Sequence, residues 1–258
     1  MCNRKTPIMP KFSCLLLSTL IAFAAFAQDE EYKEPSKASK DYHDYRLYES
    51  TPPYSLEKVK TLIKKNTKYT ESEDFDGGTK ALDKKTFNSL SLREKFTYTM
   101  IHGENWSQNC DVNLPELDEE KKIFGHLSDI LGEDSWSDRQ TKFLNDNRDS
   151  VMAIIKESVI RSKRMGLNYK MAILEINGIE FIPFLVSYYN EKKKDGDILT
   201  LLNQLMLQNK YEPFMTSPTY EKLYKEGSDY MAFIDYNKAN EQLIIQRATQ
   251  LYNARTKK

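Results

Sequence analysis

The residues 102–111 read His-Gly-Glu-Asn-Trp-Ser-Gln-Asn-Cys-Asp and form the densest run of chemistry-bearing side chains in the sequence. They offer a base, a thiol and two carboxylates. In one reading Cys110 is a nucleophile with His102 or His126 as its base, and Glu104 and Asp111 assist, because a thiol attacks as the thiolate and needs a neighbour to take its proton. In another, His102, Glu104 and His126 gather a metal ion. His102-x-Glu104 also opens the zinc-deaminase pattern, but that chemistry needs a later Pro-Cys-x-x-Cys, which is absent, as are HExxH and CxxC. A purely structural reading competes with both. His102 would close a helix C-terminus, where positive charge suits the dipole. Asn105, Ser107 and Asn109 would close turns. Trp106 and Cys110 would pack inside, free Cys being among the most buried residue types.

A second polar cluster spaces oxygens like a calcium loop. Ser72, Asp74, Asp76 and Asp83 fall at positions 1, 3, 5 and 12, with Gly77 at position 6. The twelfth ligand is Asp rather than the usual bidentate Glu, and Thr79 stands where a large aliphatic is usual. A plain acidic turn is the competing reading. No glycine-rich phosphate cradle, nucleophile elbow or dinucleotide fingerprint occurs, so no cofactor is expected.

These clusters must be mounted on helices, because apolar residues recur every three to four positions along most of the chain. Leu56, Val59, Leu62 and Ile63 share one face behind Ser55, placed as a cap. Ser91 and Glu94 make a capping box for a helix carrying Leu92, Phe96 and Met100 and ending near Gly103. Further helices are expected over 117–131, 137–145, 148–165, 181–190, 197–208, 219–225 and 238–253. The helix at 197–208 is apolar nearly all round, which marks it as central. The segment 71–88 reads as a loop. Residues 171–182 admit a β-hairpin through Asn177-Gly178, but that turn sets Glu175 against Glu180, and like charges across a pair repel. A helix capped by Asn168 and Gly178 is favoured. The expected fold class is all-α, with stacked antiparallel helix hairpins, either HEAT-like or an irregular bundle.

The N-terminus has Arg4, Lys5 and Lys11, an apolar run from Phe12 to Ala27, and the exit Ala25-Phe26-Ala27. A basic start, a short apolar middle and small residues at the end predict a cleaved signal peptide over 1–27. The protein is then secreted or periplasmic, with no membrane span after cleavage. A flexible polar leader is expected over 28–52, and a helical domain over 53–258. Removing Arg4, Lys5 and Lys11 leaves 35 basic against 38 acidic side chains. Phosphate neutralisation needs a basic excess, so nucleic acid is not an expected partner. Cys2 and Cys14 leave with the signal, and Cys110 alone cannot make an internal disulfide.

The stretches from Glu94-Lys95-Phe96 through Cys110-Asp111 and over Ile198-Leu199-Thr200-Leu201-Leu202 resemble a group of uncharacterised secreted proteins of Gram-negative bacteria. That resemblance covers most of the region after the signal and implies no activity. Residues Asn168 to Gln208 resemble a HEAT-like helix pair, with Ile182-Pro183-Phe184-Leu185 echoed by Glu212-Pro213-Phe214-Met215. The leading functional expectation is a non-enzymatic domain that binds a protein or peptide, or serves as a scaffold. The alternative is a hydrolase or metal-dependent enzyme using His102, Glu104, Cys110 and Asp111.

Overall fold

The computed structural model describes residues 33–73, 76–109, 113–128 and 132–256. Its first helix has no apolar stripe. α1 (Lys37–Leu47) buries Ser39, His43 and Arg46, and steps of four and three are a helical face written in polar residues. The Ser36 hydroxyl caps it by accepting from the Ser39 amide. The stretch read as a flexible leader therefore carries an ordered element.

α2 (Leu56–Asn66) buries Val59. Ser55 precedes it with left-handed backbone (φ 52°) and makes no cap bond, since a cap side chain reaches the first free amides from extended backbone. The segment read as a loop is structured. β1 (Thr67–Glu71) pairs antiparallel with β2 (Gly77–Leu82), Thr67 opposite Leu82 and Glu71 opposite Gly78. α3 (Lys84–Ser89) then starts from Asp83, whose carboxylate accepts from the Thr86 amide. α4 (Leu92–Ile101) starts from the Ser91–Glu94 capping box, with both of its reciprocal bonds present.

β3 (Asn105–Ser107) joins β2, and β5 (Asp134–Ser135) joins β3, giving a four-stranded antiparallel sheet in the order β1-β2-β3-β5. Between them β4 (Lys122–Phe124) follows a 3-10 turn at Glu119–Lys121 and pairs with β6 (Phe233–Asp235). The helix expected over 117–131 is thus replaced by a turn and a strand as far as Phe124, while 129–131 lie outside the described residues. The protein is mostly helical and carries a small sheet, which corrects the purely all-α expectation.

From Asp138 onward helices dominate: α5 (Asp138–Asp146), α6 (Arg148–Ser162), α7 (Leu167–Glu175), α8 (Ile182–Lys192), α9 (Asp197–Gln208), α10 (Glu212–Met215), α11 (Pro218–Tyr224) and α12 (Lys238–Thr256). Between α7 and α8 there is no hairpin of strands. Asn177 takes the left-handed turn (φ 47°) and a 3-10 turn at Ile179–Phe181 leads on. Gly166, not Asn168, precedes α7. Asn168 instead ties segments together: its Oδ1 accepts from the Ser50 amide at 2.9 Å, and its Nδ2 donates to the Ser50 and Met100 carbonyls at 2.8 Å.

α9 is the centre. Ile198, Leu199, Leu201, Leu202, Leu205 and Met206 are fully buried, and α7, α8, α10, α12 and β4 all pack on it. Among the described residues no helix is long and apolar enough to cross a membrane.

Candidate functional site

The carboxylate of Glu104 lies where α4, β3 and the start of α5 meet, and it is buried. It accepts from the Tyr98 hydroxyl at 2.7 Å, from Arg139 Nε at 2.7 Å and from the Ser137 hydroxyl. Arg139 also donates to the Leu82 carbonyl at 2.6 Å and lies 4.5 Å over the Phe87 ring. Burial works to raise the pKa of Glu104, but the bonds from Arg139, Ser137 and Tyr98, with the Arg139 charge, hold it below the usual carboxylate range. A carboxylate whose lone pairs are taken by this many donors is a poor general base. It acts as a staple.

His102 points elsewhere. Its Nε2–H donates to the Lys80 carbonyl, and its ring rests 5.3 Å from that of Tyr98. It follows the last residue of α4, the place the structural reading gave it. Cys110 and Asp111 lie outside the described residues, as does Asp74. Asp83 is spent as the cap of α3, and the Asp76 carbonyl accepts from the Gln108 amide. Among the described residues no three His, Cys, Asp or Glu side chains converge as metal ligands. His102, Glu104 and His126 therefore do not form the metal group that their types suggested. Asp76 and Asp83 belong to no such group among the described residues, and Asp74, the third acid of that set, lies outside them.

A second concentration of charge lies elsewhere and is sealed. Arg46 on α1 donates through Nε to Asp197 at 2.9 Å and through Nη1 to Glu119 at 2.8 Å. Lys170 on α7 donates to Asp195 at 2.6 Å and lies 3.8 Å from Asp197. All five are at most 4 % exposed, so no substrate reaches them. Both ring nitrogens of His43 face acceptors, Glu119 at 3.0 Å and the Asn113 carbonyl at 3.2 Å. Burial raises the pKa of Asp195 in spite of Lys170. Two signals in the sequence could have found this network: the polar period of α1, and Lys170 among the inward residues Tyr169, Ala172 and Ile173 of α7.

One open site is a cleft of about 440 Å³ between α5, α7, α9 and the segments flanking β4, β5 and β6. His126, another of the sequence-selected site residues, belongs here. Its ring stacks on Tyr230 (5.2 Å, 19°) and meets Tyr224 edge-on at 5.5 Å, and burial lowers its pKa. Burial thus disfavours the charged form of the ring. Trp136 forms another wall, held by its indole N–H donating to the Thr99 carbonyl at 2.8 Å. Met171 and Glu175 come from α7, and Gln204 from α9. Gln204 Oε1 is buried and has no partner among the described residues. Trp136, Glu175 and Gln204 come from three separate helical or strand-flanking segments, so no local motif announced them.

No family model, curated protein or solved structure matches this chain.

Proposed function

We propose that the protein is a non-enzymatic, secreted or periplasmic binding domain whose cleft at Trp136, Glu175 and Gln204 receives a segment of a protein or peptide partner. The observation that carries this is an open cavity of about 440 Å³, within the ~300–1,000 Å³ typical of ligand sites, whose walls hold aromatic side chains and the Glu175 carboxylate, which has no cation partner among the described residues. Helices on three sides fix those groups, and rigid elements make more exact sites than loops. The compartment rests on the N-terminal pattern of Arg4, Lys5, the apolar run and Ala25-Phe26-Ala27.

We read α7 to α12 as an irregular bundle rather than a HEAT-like stack. α12 returns to pack on both α8 and α9, whereas in an array each unit touches only its neighbours. The partner then meets a cleft in a closed bundle and not a long concave groove. The hydrolase alternative is weaker, because Glu104 is fully committed to Arg139, Ser137 and Tyr98.

The test is selection of peptides from a displayed random library on the folded chain, followed by binding to Met171→Trp, which fills the cleft. Selected peptides should lose at least about tenfold in affinity, a shift of ~1.4 kcal/mol. Peptides that bind the filled variant equally well would place the partner surface elsewhere.

A further inference from the structure

Glu175 is in an unfavourable place for an acid. It is the last residue of α7, whose final turn carries no base, and a negative charge there opposes the helix dipole. Asn145 Nδ2 donates to one of its oxygens at 2.8 Å. No cation pairs with it among the described residues, and no Lys or Arg lines the cleft it borders. Burial disfavours a positive charge on His126. The cleft thus carries one negative charge, the aromatic side chains of Trp136 and Tyr230, and the thioether of Met171. Aromatic faces attract cations through their quadrupole, and a carboxylate beside them supplies the counter-charge.

We propose that the cleft takes an organic cation on an apolar stem, the side chain of a lysine or arginine in the partner, with Glu175 as its counter-ion. The stem lies along Met171 and Trp136, and the charged head reaches Glu175. Anions are excluded by the same charge balance. This assignment rests on the partner-binding reading above, since it names the part of the partner that enters.

The experiment follows the Trp136 indole N–H resonance by heteronuclear NMR while the full chain is titrated with four probes: acetyl-lysine amide, acetyl-arginine amide, acetyl-norleucine amide and phenethylamine. The lysine and arginine amides should saturate the shift, with norleucine at least about tenfold weaker, because it keeps the stem and drops the charge. Glu175→Gln should erase that difference while the rest of the spectrum stays that of the folded chain. It keeps an oxygen for Asn145 and removes only the charge. Equal binding of norleucine and lysine, or a charge preference that survives Glu175→Gln, would overturn the proposal. Binding of phenethylamine alone would retain the cation chemistry and overturn its source in a side chain. Failure of all four probes, with displayed peptides still displaced by Met171→Trp, sinks the cation and leaves the partner-binding reading standing. The reverse pattern sinks the reading and leaves a cation site.

Discussion

Asp195 and Glu175 are carboxylates at the ends of neighbouring helices around one apolar core, and their surroundings differ in every respect. Asp195 lies at the N-terminal side of α9, where the dipole favours negative charge. It is 1 % exposed and bonded to Lys170. Glu175 ends α7, faces an open cleft and has no cation partner among the described residues. Both regions draw on the same helix, since α7 sends Lys170 to the first and Glu175 to the second. Charge density alone therefore does not mark a site. The sealed network holds more charged side chains than the cleft, yet they are ion-paired with one another and closed to solvent, whereas Glu175 borders open space with no cation partner among the described residues.

The sharpest way to break this contrast is Lys170→Met. It leaves Asp195 buried without its counter-charge, and removing one partner of a buried pair costs about 3–5 kcal/mol, read as a fall in unfolding free energy in urea. The loss should depend on pH in a stated direction. The pKa of Asp195 is already raised by burial in the native chain, and without Lys170 it rises further. A carboxyl whose folded pKa exceeds its unfolded value binds its proton more tightly when folded. Stability is then highest below the unfolded value, near 3.8, and falls as pH rises through the folded value. The deficit of Lys170→Met should therefore shrink on acidification. A deficit that is constant with pH would show that lost packing, not an orphaned charge, is responsible.

Asn203 supplies the next test. It is fully buried on α9, and neither its Oδ1 nor its Nδ2 has a partner among the described residues. An unsatisfied buried polar group costs about 1–3 kcal/mol, so Asn203→Leu, which keeps the branching and heavy-atom count of the side chain, should raise stability by that order. Denaturation should show a higher midpoint with an unchanged slope. If stability falls instead, Asn203 is engaged in the folded chain and belongs with the network.

How much of this was legible in the sequence follows from what wrote each element. α6 and α9 were written in apolar residues at helical spacing: Val151, Ile154, Ile155 and Val159 are buried on the one, and Leu199 and Leu202 on the other. α4 was signalled by the reciprocal Ser91–Glu94 cap. α1 obeys the same period with Ser39, His43 and Arg46, and hydropathy is blind to it. β1 is exposed at four of its five residues and alternates nothing, while β4 and β6 have three residues each, too few to carry a period. Their pairing is set by long-range contacts that a local window does not contain. The cleft failed for the same reason. Only His126 among its walls was singled out, and it was grouped with His102 and Glu104 because of residue type, whereas the fold delivers it to Tyr230 and Tyr224.

A smaller effect gauges the method. Ser91→Ala lies outside both regions and removes one half of the capping box, so it should cost about 1 kcal/mol. Glu94 keeps its bond from Lys58, which with the Ser91 bonds holds its pKa down to about 2. Thermal unfolding at neutral pH resolves a change of this size, and a cost as large as that of Lys170→Met would mean that the stability scale used for the network is wrong.

The smallest expected effect on stability separates the two regions most cleanly. Glu175→Gln removes a negative charge from the C-terminal end of α7 and retains the oxygen that accepts from Asn145. The helix dipole then favours the variant by about 0.3–1 kcal/mol at low ionic strength, and added salt screens the gain. The measurement is unfolding free energy at low and high salt. A variant more stable than the native chain at low salt, and equal to it at high salt, identifies Glu175 as a residue placed against the preference of its own helix. A loss of stability in both conditions would mean that Glu175 supports the fold as Asp195 does, and the contrast between engaged and available carboxylates would not hold.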